Sequence, residues 1–496
     1  MEEGNHNGLV YRQQNRVNSE TRGNAYCVGI PDDDKRDWGY IVFVKLKNVR
    51  ERTTRWVICV WGIWLCGAGV VGGAQSSAAA ARGARLASVA VGVQQNTSAN
   101  MAASVVGAAQ RSASGASTAR APTAAAASTS ATAAAAGNFL DVGGGKIWYE
   151  ECGADTGGAN VVLLHDGLVH SVTWDAMWEP LCAKYHVVRY DRRGYGRSES
   201  AATVFNPVED LNKVMQQVNM RRGVIVGCSS GGGLALDFAV AYPEMVTGLF
   251  LIGPVVHGMA SSDYFDARGA KNSAPMDRGD VKGAAKNWSE DRFIIGGNDT
   301  ASRKKIYDAL VANPQDLKVG GDFEIRPSPP TSHRLSEIRV PTLALAGEYD
   351  IADVFAYCGA IEAAVPLGSF QVVKDAGHLI QVQRPAEMVK DFNQFVSLVE
   401  RKEISRTDSQ LQDFAGEYRV GPRNGTVSLK DHRLVMEIPG DPYYILFPSS
   451  ETKFFLRTEN TELEFVVNGQ QVTEMIVHNS DGTVNHCPRV DTVAPQ

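Results

Sequence analysis

The amino-acid sequence predicts an α/β fold with a doubly wound, mostly parallel sheet, a helical lid insertion and a C-terminal antiparallel β domain. Short β-branched runs alternate with amphipathic helical runs from Gly137 to about Lys402, which is the pattern of parallel strands covered by helices. The alternation stops between Pro254 and Arg339. After Glu403 the apolar residues follow period two instead, which favours antiparallel strands.

The strands of the parallel sheet are predicted from apolar runs that are too short for helices and end in turn residues. In chain order they are KIWYEECG (146–153), NVVLLHDG (160–167), HVVRYDRRG (186–194), GVIVGCSSG (223–231), TGLFLIGP (247–254), TLALAGEYD (342–350) and SFQVVKDAGH (369–378). Amphipathic helices are predicted at 208–219, in GGLALDFAVA before Pro243, and at 385–402, where apolar residues recur at helical spacing.

Two further regions complete the C-terminal part of the chain. Residues from about 255 to 338 are polar and compatible with helices, and an insertion at the carboxyl end of a strand is well placed to cover a pocket there. We therefore interpret this segment as a lid. Residues 408–490 contain short period-two runs separated by turn signals such as VNG and SDG, which predicts a separate small β domain that is either an antiparallel sheet or a small barrel.

The first 136 residues lack the pattern of a globular domain. Residues 1–54 stay unassigned, and a basic stretch then precedes an uncharged run from Trp56 to Ala74. That layout predicts a signal peptide, but the run is also long enough for an uncleaved membrane anchor, so residues 55–74 are one of the two. Both alternatives export the C-terminal part to the periplasm or the extracellular space. The Ala- and Ser-rich residues 75–136 predict a flexible linker.

Composition limits the partners and cofactors that we expect. The chain has 49 Lys and Arg against 55 Asp and Glu, which leaves no basic surface for nucleic acid. The sequence contains no CxxC pattern that would predict a metal site, and we expect neither a metal nor another cofactor. An odd number of cysteines follows the apolar run, which does not describe a disulfide framework: Cys152, Cys182, Cys228, Cys358 and Cys487.

The motif Gly227-Cys-Ser229-Ser-Gly231 stands between a predicted strand and a predicted helix. G-x-S-x-G at such a junction is the nucleophile elbow, a sharp turn that exposes the serine hydroxyl above the sheet. Small residues flank the serine because the turn leaves no room for larger side chains. Ser229 is therefore the candidate nucleophile. The N–H of Ser230, at the helix N-terminus, is a candidate donor to a developing oxyanion.

A serine hydroxyl needs a base to remove its proton and a carboxylate to orient that base. The sequence offers both in the order serine, acid, histidine. Asp350 follows the strand in LALAGEYD, and His378 lies in a glycine-preceded loop in VVKDAGHLIQ. Glu348 and Asp375 are alternative acids, but Glu348 belongs to the turn leading to Asp350, and Asp375 is too close to His378 in sequence.

These motifs resemble the α/β-hydrolase family over about 260 residues, from Gly137 to about Glu400. VVLLHDGLVHSVTWDAMW is similar to the family's strand and oxyanion loop, and YDRRGYGRS to its loop after the next strand. The C-terminal β domain more loosely resembles an accessory domain of unknown role that follows some serine hydrolases. The resemblance implies a nucleophile, a base, an orienting acid and two oxyanion-hole amides: Ser229, His378, Asp350, and the N–H groups of Gly167 and Ser230.

One residue departs from the family pattern, because Asp166 follows His165 where most relatives have glycine. A carboxylate aimed at a forming oxyanion would oppose catalysis, so Asp166 must point away or the site is weakened. Ser230 as nucleophile is an alternative register, but it would place Cys228 where the small glycine belongs. The remaining histidines and tryptophans of the region are interpreted as structural, lid or surface residues: His165, His170, His257, His333, Trp174 and Trp178.

The function that the sequence predicts is that of an exported serine hydrolase acting on a carboxylic ester or similar small acyl substrate through an acyl-enzyme. The serine at 229 disfavours dehalogenase and epoxide hydrolase chemistry, which use aspartate there. Cofactor-free perhydrolase or haloperoxidase activity and C–C bond hydrolysis stay open, since the same triad supports them. A non-catalytic binding or scaffold protein is the alternative from another class. The sequence does not predict the oligomeric state, and residues 56–74 offer possible membrane anchoring.

Overall fold

The computed structural model describes residues 137–319 and 323–490, together with the backbone of five strands before residue 62. The chain divides into two units, Met1–Ala121 and Pro122–Gln496. The first unit contains a two-stranded antiparallel sheet and a three-stranded one. Their strands are β1 (Glu3–His6), β2 (Leu9–Arg12), β3 (Thr21–Ile30), β4 (Gly39–Asn48) and β5 (Thr54–Trp61).

Strand β5 covers the first part of the apolar run that we assigned to a signal peptide or anchor. The rest of that run, residues 62–74, and the predicted linker at 75–136 lie outside the described residues. Within the described residues, no helix combines the length and the hydropathy needed to cross a bilayer.

The second unit contains an eight-stranded sheet in the order β13-β12-β11-β10-β8-β9-β7-β6. Its strands are β6 (Asn138–Asp141), β7 (Lys146–Cys152), β8 (Asn160–Leu164), β9 (His186–Tyr190), β10 (Gly223–Cys228), β11 (Val246–Ile252), β12 (Thr342–Gly347) and β13 (Gly368–Val373). Strands β8 to β13 pair in parallel, whereas β6 and β7 join antiparallel at one edge. The predicted mostly parallel sheet is confirmed, and strands β7 to β13 each begin within one residue of the start of a predicted run, whereas the edge strand β6 was not predicted.

Helices cover both faces of this sheet and form the insertion between β11 and β12. They are α1 (Asp175–Cys182), α2 (Pro207–Gln217), α3 (Ser230–Ala241), α4 (Asp263–Ser273), α5 (Val281–Glu290), α6 (Thr300–Ala312), α7 (Ala352–Ala364), α8 (Ile380–Gln383) and α9 (Pro385–Val399). Apolar side chains of α2, α3 and α7 form one buried layer with the sheet, and those of α1 and α9 form the other. Two packed layers around one sheet give the doubly wound arrangement.

The segment between β11 and β12 carries α4, α5 and α6, inside the range that we interpret as a lid. Each helix begins at a side-chain cap, which satisfies an N–H group that has no intrahelical partner. The capping oxygens belong to Ser262, Asp280 and Asp299. Residues 320–322 of the segment lie outside the described residues.

A disulfide joins Cys152, at the end of β7, to Cys182, at the end of α1. We inferred no disulfide framework from the odd number of cysteines, and this single bridge corrects that expectation. Cys228, Cys358 and Cys487 are buried free thiols. An odd count therefore concealed one pair, because a count says nothing about which residues the fold brings together.

The C-terminal region is an antiparallel sheet of eight strands that follow one another in chain order. After the short helix α10 (Asp408–Gln412) come β14 (Gly416–Val420), β15 (Arg423–Lys430), β16 (Arg433–Glu437), β17 (Tyr444–Pro448), β18 (Lys453–Phe455), β19 (Glu462–Asn468), β20 (Gln471–His478) and β21 (Val484–Pro488). The Val490 N–H donates to the Glu417 carbonyl at 2.8 Å, which brings the first and last strands together. The predicted antiparallel β domain is thus a nearly closed barrel around its own apolar core.

Candidate active site

The strand order places a topological switch point between β8 and β10. From β8 the chain passes to β9 on one side and then returns to β10 on the other. Ligands of such sheets bind in the crevice at the carboxyl ends of the strands beside a switch point. The loop that follows β8 begins at His165, and Ser229 follows β10 directly. The predicted oxyanion loop and the predicted nucleophile therefore both lie at this crevice.

Ser229 occupies a strained turn between β10 and α3. Its φ is +54° and its ψ is −118°, a region that a residue with a side chain adopts only when the surroundings hold it there. The Ser229 N–H donates to the Ile252 carbonyl at 2.9 Å, and the Ser229 carbonyl accepts from the Gly233 and Val255 amides at 3.1 Å each. These bonds to the neighbouring strand's end and to the helix fix the backbone of the elbow.

The glycines around Ser229 are required by close backbone contacts. A Cβ on Gly227 would lie 2.5 Å from the Gly231 carbonyl oxygen, and one on Gly231 would lie 2.4 Å from the His165 carbonyl oxygen. Real Cβ atoms do not approach backbone oxygens so closely, so any larger residue would push the helix away from β8 and β10. The local sequence thus allows the elbow and the oxyanion loop to touch.

His378 and Asp350 form a hydrogen-bonded pair at the same edge of the sheet. Nδ1 of His378 lies 2.9 Å from Oδ2 and 3.1 Å from Oδ1 of Asp350. Asp350 follows β12, and its Oδ1 also accepts from the Ile351 N–H at 2.8 Å. The alternative acid Asp375 contacts Tyr349 instead, at 3.3 Å. The structure therefore pairs the histidine with the acid that the chain order favoured.

The histidine ring is packed against backbone on one side. A Cβ on Gly253, which has φ +52°, would lie 2.7 Å from Nδ1 of His378 and 3.3 Å from Oδ2 of Asp350. Burial by itself lowers the pKa of His378, but attraction and hydrogen bonding to the Asp350 carboxylate outweigh it and raise the pKa above its ordinary value. The pair is therefore tuned to hold a proton on the imidazole.

The serine and histidine approach the same stretch of backbone. Ser229 is bonded to Ile252, and the adjacent Gly253 contacts the His378 ring. Among the described residues the Ser229 hydroxyl makes no hydrogen bond, and Nε2 of His378 makes none either. Catalytic hydrogen bonds of this kind are often long in unliganded enzymes and tighten when substrate binds.

Gly167 and Ser230 meet beside the elbow. A Cβ on Gly167 would lie 3.0 Å from Oγ of Ser230, and no acceptor in residues 137–319 or 323–490 bonds to the Gly167 amide. Ser230 begins α3, so its N–H has no intrahelical acceptor. Two unused N–H groups next to the serine, one of them at a helix N-terminus, can bind a developing oxyanion.

Asp166 turns one carboxylate oxygen back into its own loop. Oδ1 accepts from the Leu168 and Val169 amides at 2.8 Å each. Oδ2 is buried and has no partner among the described residues. Burial raises the pKa of the Asp166 carboxyl, although the two amides and His378 oppose this rise. The departure from glycine therefore places at the site a carboxyl group whose burial disfavours its charged form.

An arginine that the sequence analysis did not single out holds the oxyanion loop. Nη2 of Arg192 donates to the Asp166 carbonyl at 2.8 Å and to Oγ of Ser230 at 2.7 Å. The Arg192 N–H donates to Nε2 of His165 at 2.8 Å, and Nδ1 of His165 contacts the Asp166 carbonyl at 2.7 Å. The three arginines of YDRRGYGRS, in the loop that follows a buried strand, were the available signal. His165 is a brace for its loop, as interpreted.

The other residues considered in the sequence have partners away from the triad. Nδ1 of His170 lies 2.7 Å from Asp316, and Nδ1 of His257 lies 2.5 Å from Asp237. Trp174 is fully buried in the core, and Trp178 packs under a guanidinium. Burial strongly raises the pKa of the Cys228 thiol, which keeps it protonated and inert.

Comparison with known proteins finds relatives over the part of the chain that carries this site. The sequence profile of the alpha/beta hydrolase family matches residues 161–391. The dihydrolipoyllysine-residue acetyltransferase component of the acetoin cleaving system of Cupriavidus necator is 30% identical over 272 residues, which cover 53% of this chain and 68% of that protein. The 3-oxoadipate enol-lactonase 1 of Acinetobacter baylyi is 24% identical over 230 residues, covering 45% and 85%.

Among solved structures, a thermophilic esterase from Thermogutta terrifontis is similar to this chain. The TM-score is 0.46 at 20% identity, and the match covers 54% of this chain and 100% of the esterase. The fold and the crevice define the class as that of an α/β hydrolase. The chain belongs to the alpha/beta hydrolase family and is an enzyme of the hydrolase class.

Proposed function

We propose that the protein is a serine hydrolase that cleaves a carboxylic ester or a similar small acyl compound through an acyl-enzyme. The observation that carries the proposal is the strained backbone of Ser229, at φ +54° between β10 and α3. Such strain persists only where the surrounding structure enforces it, and it is concentrated at functional sites. The bonded pair of His378 and Asp350 at the same edge supports it.

In the proposed reaction, Oγ of Ser229 attacks the acyl carbon while Nε2 of His378 takes the hydroxyl proton. The Nδ1–H group of His378 stays hydrogen-bonded to the Asp350 carboxylate, which stabilises the imidazolium. The N–H groups of Gly167 and Ser230 bind the oxyanion. The alcohol then leaves with the proton from His378, and a water molecule releases the acid by the same steps in reverse.

A fluorophosphonate probe tests the nucleophile directly. We expect the wild-type protein to be labelled at one residue, and Ser229→Ala to abolish both labelling and ester hydrolysis, with a loss in kcat of at least about 10⁴-fold. The matched control is Ser230→Ala, which removes the neighbouring hydroxyl but keeps the backbone N–H, and it should still be labelled. Labelling that survives in Ser229→Ala and disappears in Ser230→Ala would contradict the assignment.

Paired substrates test the reaction class. We expect turnover of a short p-nitrophenyl ester and none of a β-diketone, because the proposed chemistry expels an oxygen leaving group, whereas cleavage of the diketone breaks a C–C bond and must expel and protonate a carbon leaving group. A folded, labelled enzyme that cleaves only the diketone would instead indicate C–C bond hydrolysis on the same residues.

We also propose that the protein is exported, with residues 55–74 as a signal peptide or membrane anchor. The disulfide between Cys152 and Cys182 supports this, since disulfides persist in oxidising compartments. N-terminal sequencing and thiol alkylation of protein from expressing cells test it. Protein found only in the cytoplasm, with both cysteines alkylated without reductant, would overturn the proposal.

A further inference from the structure

A cavity of about 550 Å³ is lined by both the hydrolase domain, residues 137–402, and the β domain. A volume of this size is in the range of small-molecule sites. Arginines line it from both sides, together with one phenylalanine and two glutamates. They are Arg222 and Arg339 of the hydrolase domain, Arg433, Phe447 and Arg457 of the β domain, and Glu400 and Glu403 between the domains.

The cavity lies at the opposite edge of the sheet from Ser229. Arg222 directly precedes β10 and Arg339 comes three residues before β12, so both stand at the amino ends of parallel strands. Ser229 and Asp350 follow the carboxyl ends of the same two strands. Each of these strands has six residues, which separates the two edges by roughly 20 Å. The arginine cavity is therefore not part of the catalytic crevice.

The β-domain wall is held rigidly by packing and hydrogen bonds. The Phe447 ring contacts two guanidinium groups, that of Arg433 at 4.7 Å and that of Arg457 at 4.8 Å from its centroid. Nη1 of Arg457 donates to the Val399 carbonyl at 2.6 Å and Nη2 to the Arg401 carbonyl at 3.1 Å. These bonds fix the guanidinium against the C-terminus of α9, so little side-chain entropy remains to be lost on binding.

Positive charge in the cavity exceeds the negative charge that faces it. Glu403 already accepts from Arg433 through both oxygens, at 3.0 and 3.2 Å, and it lies 4.0 Å from Arg457. Burial and the nearby Arg433 lower the pKa of Arg457, against the opposing effect of Glu403. Arg222 and Arg339 are exposed and have no ion-pair partner among residues 137–319 and 323–490. Four guanidiniums thus face two carboxylates.

We propose that this cavity, the arginine cleft, binds a small molecule that carries two or more phosphate-type negative charges. The charges must be at least two because the guanidiniums come from opposite walls. Phosphate groups suit them because three oxygens can be shared between neighbouring guanidiniums in bidentate contacts. Bound across the two walls, the ligand would hold the β domain on the hydrolase domain. This gives the β domain a function that does not depend on the catalytic proposal.

Calorimetric titration with inorganic pyrophosphate at constant ionic strength tests the proposal. We expect saturable binding to the wild-type protein, and Arg222→Gln and Arg339→Gln should each weaken it by about tenfold or more, as loss of a charge-assisted contact does. Arg221→Gln is the matched control, because it removes the same charge one residue away from the cleft and should bind like the wild type. Citrate, which carries carboxylates, should bind more weakly than pyrophosphate.

Three results would overturn the proposal. They are the absence of saturable binding, an equal weakening by Arg221→Gln and Arg222→Gln, which would indicate only diffuse attraction, and tighter binding of citrate, which would reject the phosphate assignment. The midpoint of thermal unfolding without ligand checks that each variant is folded. Ester hydrolysis should be unchanged in all three variants, so a failed esterase assay bears on the proposed function and leaves the arginine cleft to be judged by the titrations.

Discussion

The proton held on His378 sets the pH range in which the proposed reaction can run. Because the Asp350 carboxylate raises the pKa of His378 above the ordinary value near 6.5, the neutral imidazole that accepts the serine proton forms only at higher pH. We predict that kcat/KM rises with pH through a midpoint above 6.5. A pH–rate profile on a neutral ester measures it. By the same linkage, stability gained from the pair is complete below pH 6.5 and is lost as the pH rises through the raised pKa.

The substitution Asp350→Asn tests the effect of the Asp350 charge while the rest of the site stays unchanged. The amide keeps an oxygen near His378 but removes the charge that raises its pKa, and burial then lowers that pKa. We predict a profile midpoint below that of the wild type and a kcat lower by about 10⁴-fold. A midpoint that does not move would mean that Asp350 is not the residue that tunes the histidine.

The buried carboxyl of Asp166 should have a second, weaker effect on the rate of the same reaction. Asp166→Asn retains an oxygen that can accept from Leu168 and Val169, and it removes the negative charge that opposes oxyanion formation at high pH. We predict a kcat on the order of tenfold higher at pH 8 and a lower midpoint for His378, because Asp166 also raises the histidine pKa. Steady-state kinetics over pH 5 to 9 measure both effects.

The control for that variant is Asp375→Asn, which removes the same charge from an exposed acid three residues before His378. Solvent screens an exposed carboxylate, so we expect neither kcat nor the midpoint to change. Equal effects of the two substitutions would show that Asp166 acts only through the overall charge of the loops.

Single residues of the site differ in how far the sequence reveals them. Chain order and strand ends were sufficient to propose that Asp350 and His378 pair, since both follow strands of one parallel sheet. No spacing indicated that Arg192 bonds to Ser230, or that Gly253 lies against His378. Those contacts depend on how the loops after β9 and β11 fold over the sheet edge, which is a tertiary property.

At the scale of one strand and one helix, the elbow depends on backbone contacts so close that a single added methyl group would break them. Gly231→Ala would place a Cβ 2.4 Å from the His165 carbonyl oxygen. We predict a loss of about 1–3 kcal/mol in the free energy of unfolding and a fall in kcat, because α3 and the oxyanion loop must move apart. Denaturant titration and ester kinetics measure the two effects.

Gly359→Ala is the matched control within the same unit. Gly359 lies inside helix α7, and a Cβ there meets no atom within 4 Å. Replacing glycine by alanine in a helix interior stabilises by roughly 0.5–1 kcal/mol, so this variant should be more stable than the wild type and equally active. The elbow argument is wrong if both alanine variants change stability in the same direction.

The strands of the parallel sheet and three of its helices were predictable from their apolar patterns, whereas helices α1 and α7 were not predicted. The runs in β8, β10 and β12 are fully buried or nearly so, which is why they are continuously apolar in the sequence. The β domain shows alternation because one face of each strand packs inward. The runs predicted either an open antiparallel sheet or a small barrel, and closure through Val490 and Glu417 could not be decided from them, because local periodicity does not determine which strands lie side by side.

At the scale of the whole molecule, contacts between distant segments connect the two domains of the second unit. Leu367 packs with Phe447 and Phe455 of the β domain, and the Ile404 N–H donates to the Pro448 carbonyl at 2.9 Å. Arg401 forms an ion pair with Glu462. The change of period after Glu403 indicated two domains, but it gave no indication that they share an apolar contact or enclose the arginine cleft.

The disulfide adds a constraint on the unfolded chain that no contact in the core replaces. Cys152 and Cys182 are 30 residues apart, and closing a loop of that length stabilises the folded state by roughly 2–4 kcal/mol. We predict that dithiothreitol lowers the midpoint of thermal unfolding of the wild-type protein. A double variant, Cys152→Ala with Cys182→Ala, should start at that lower midpoint and show no further change with reductant. The buried thiols of Cys228, Cys358 and Cys487 are present in both proteins, so a reductant effect that persists in the double variant would assign the stabilisation to some other bond.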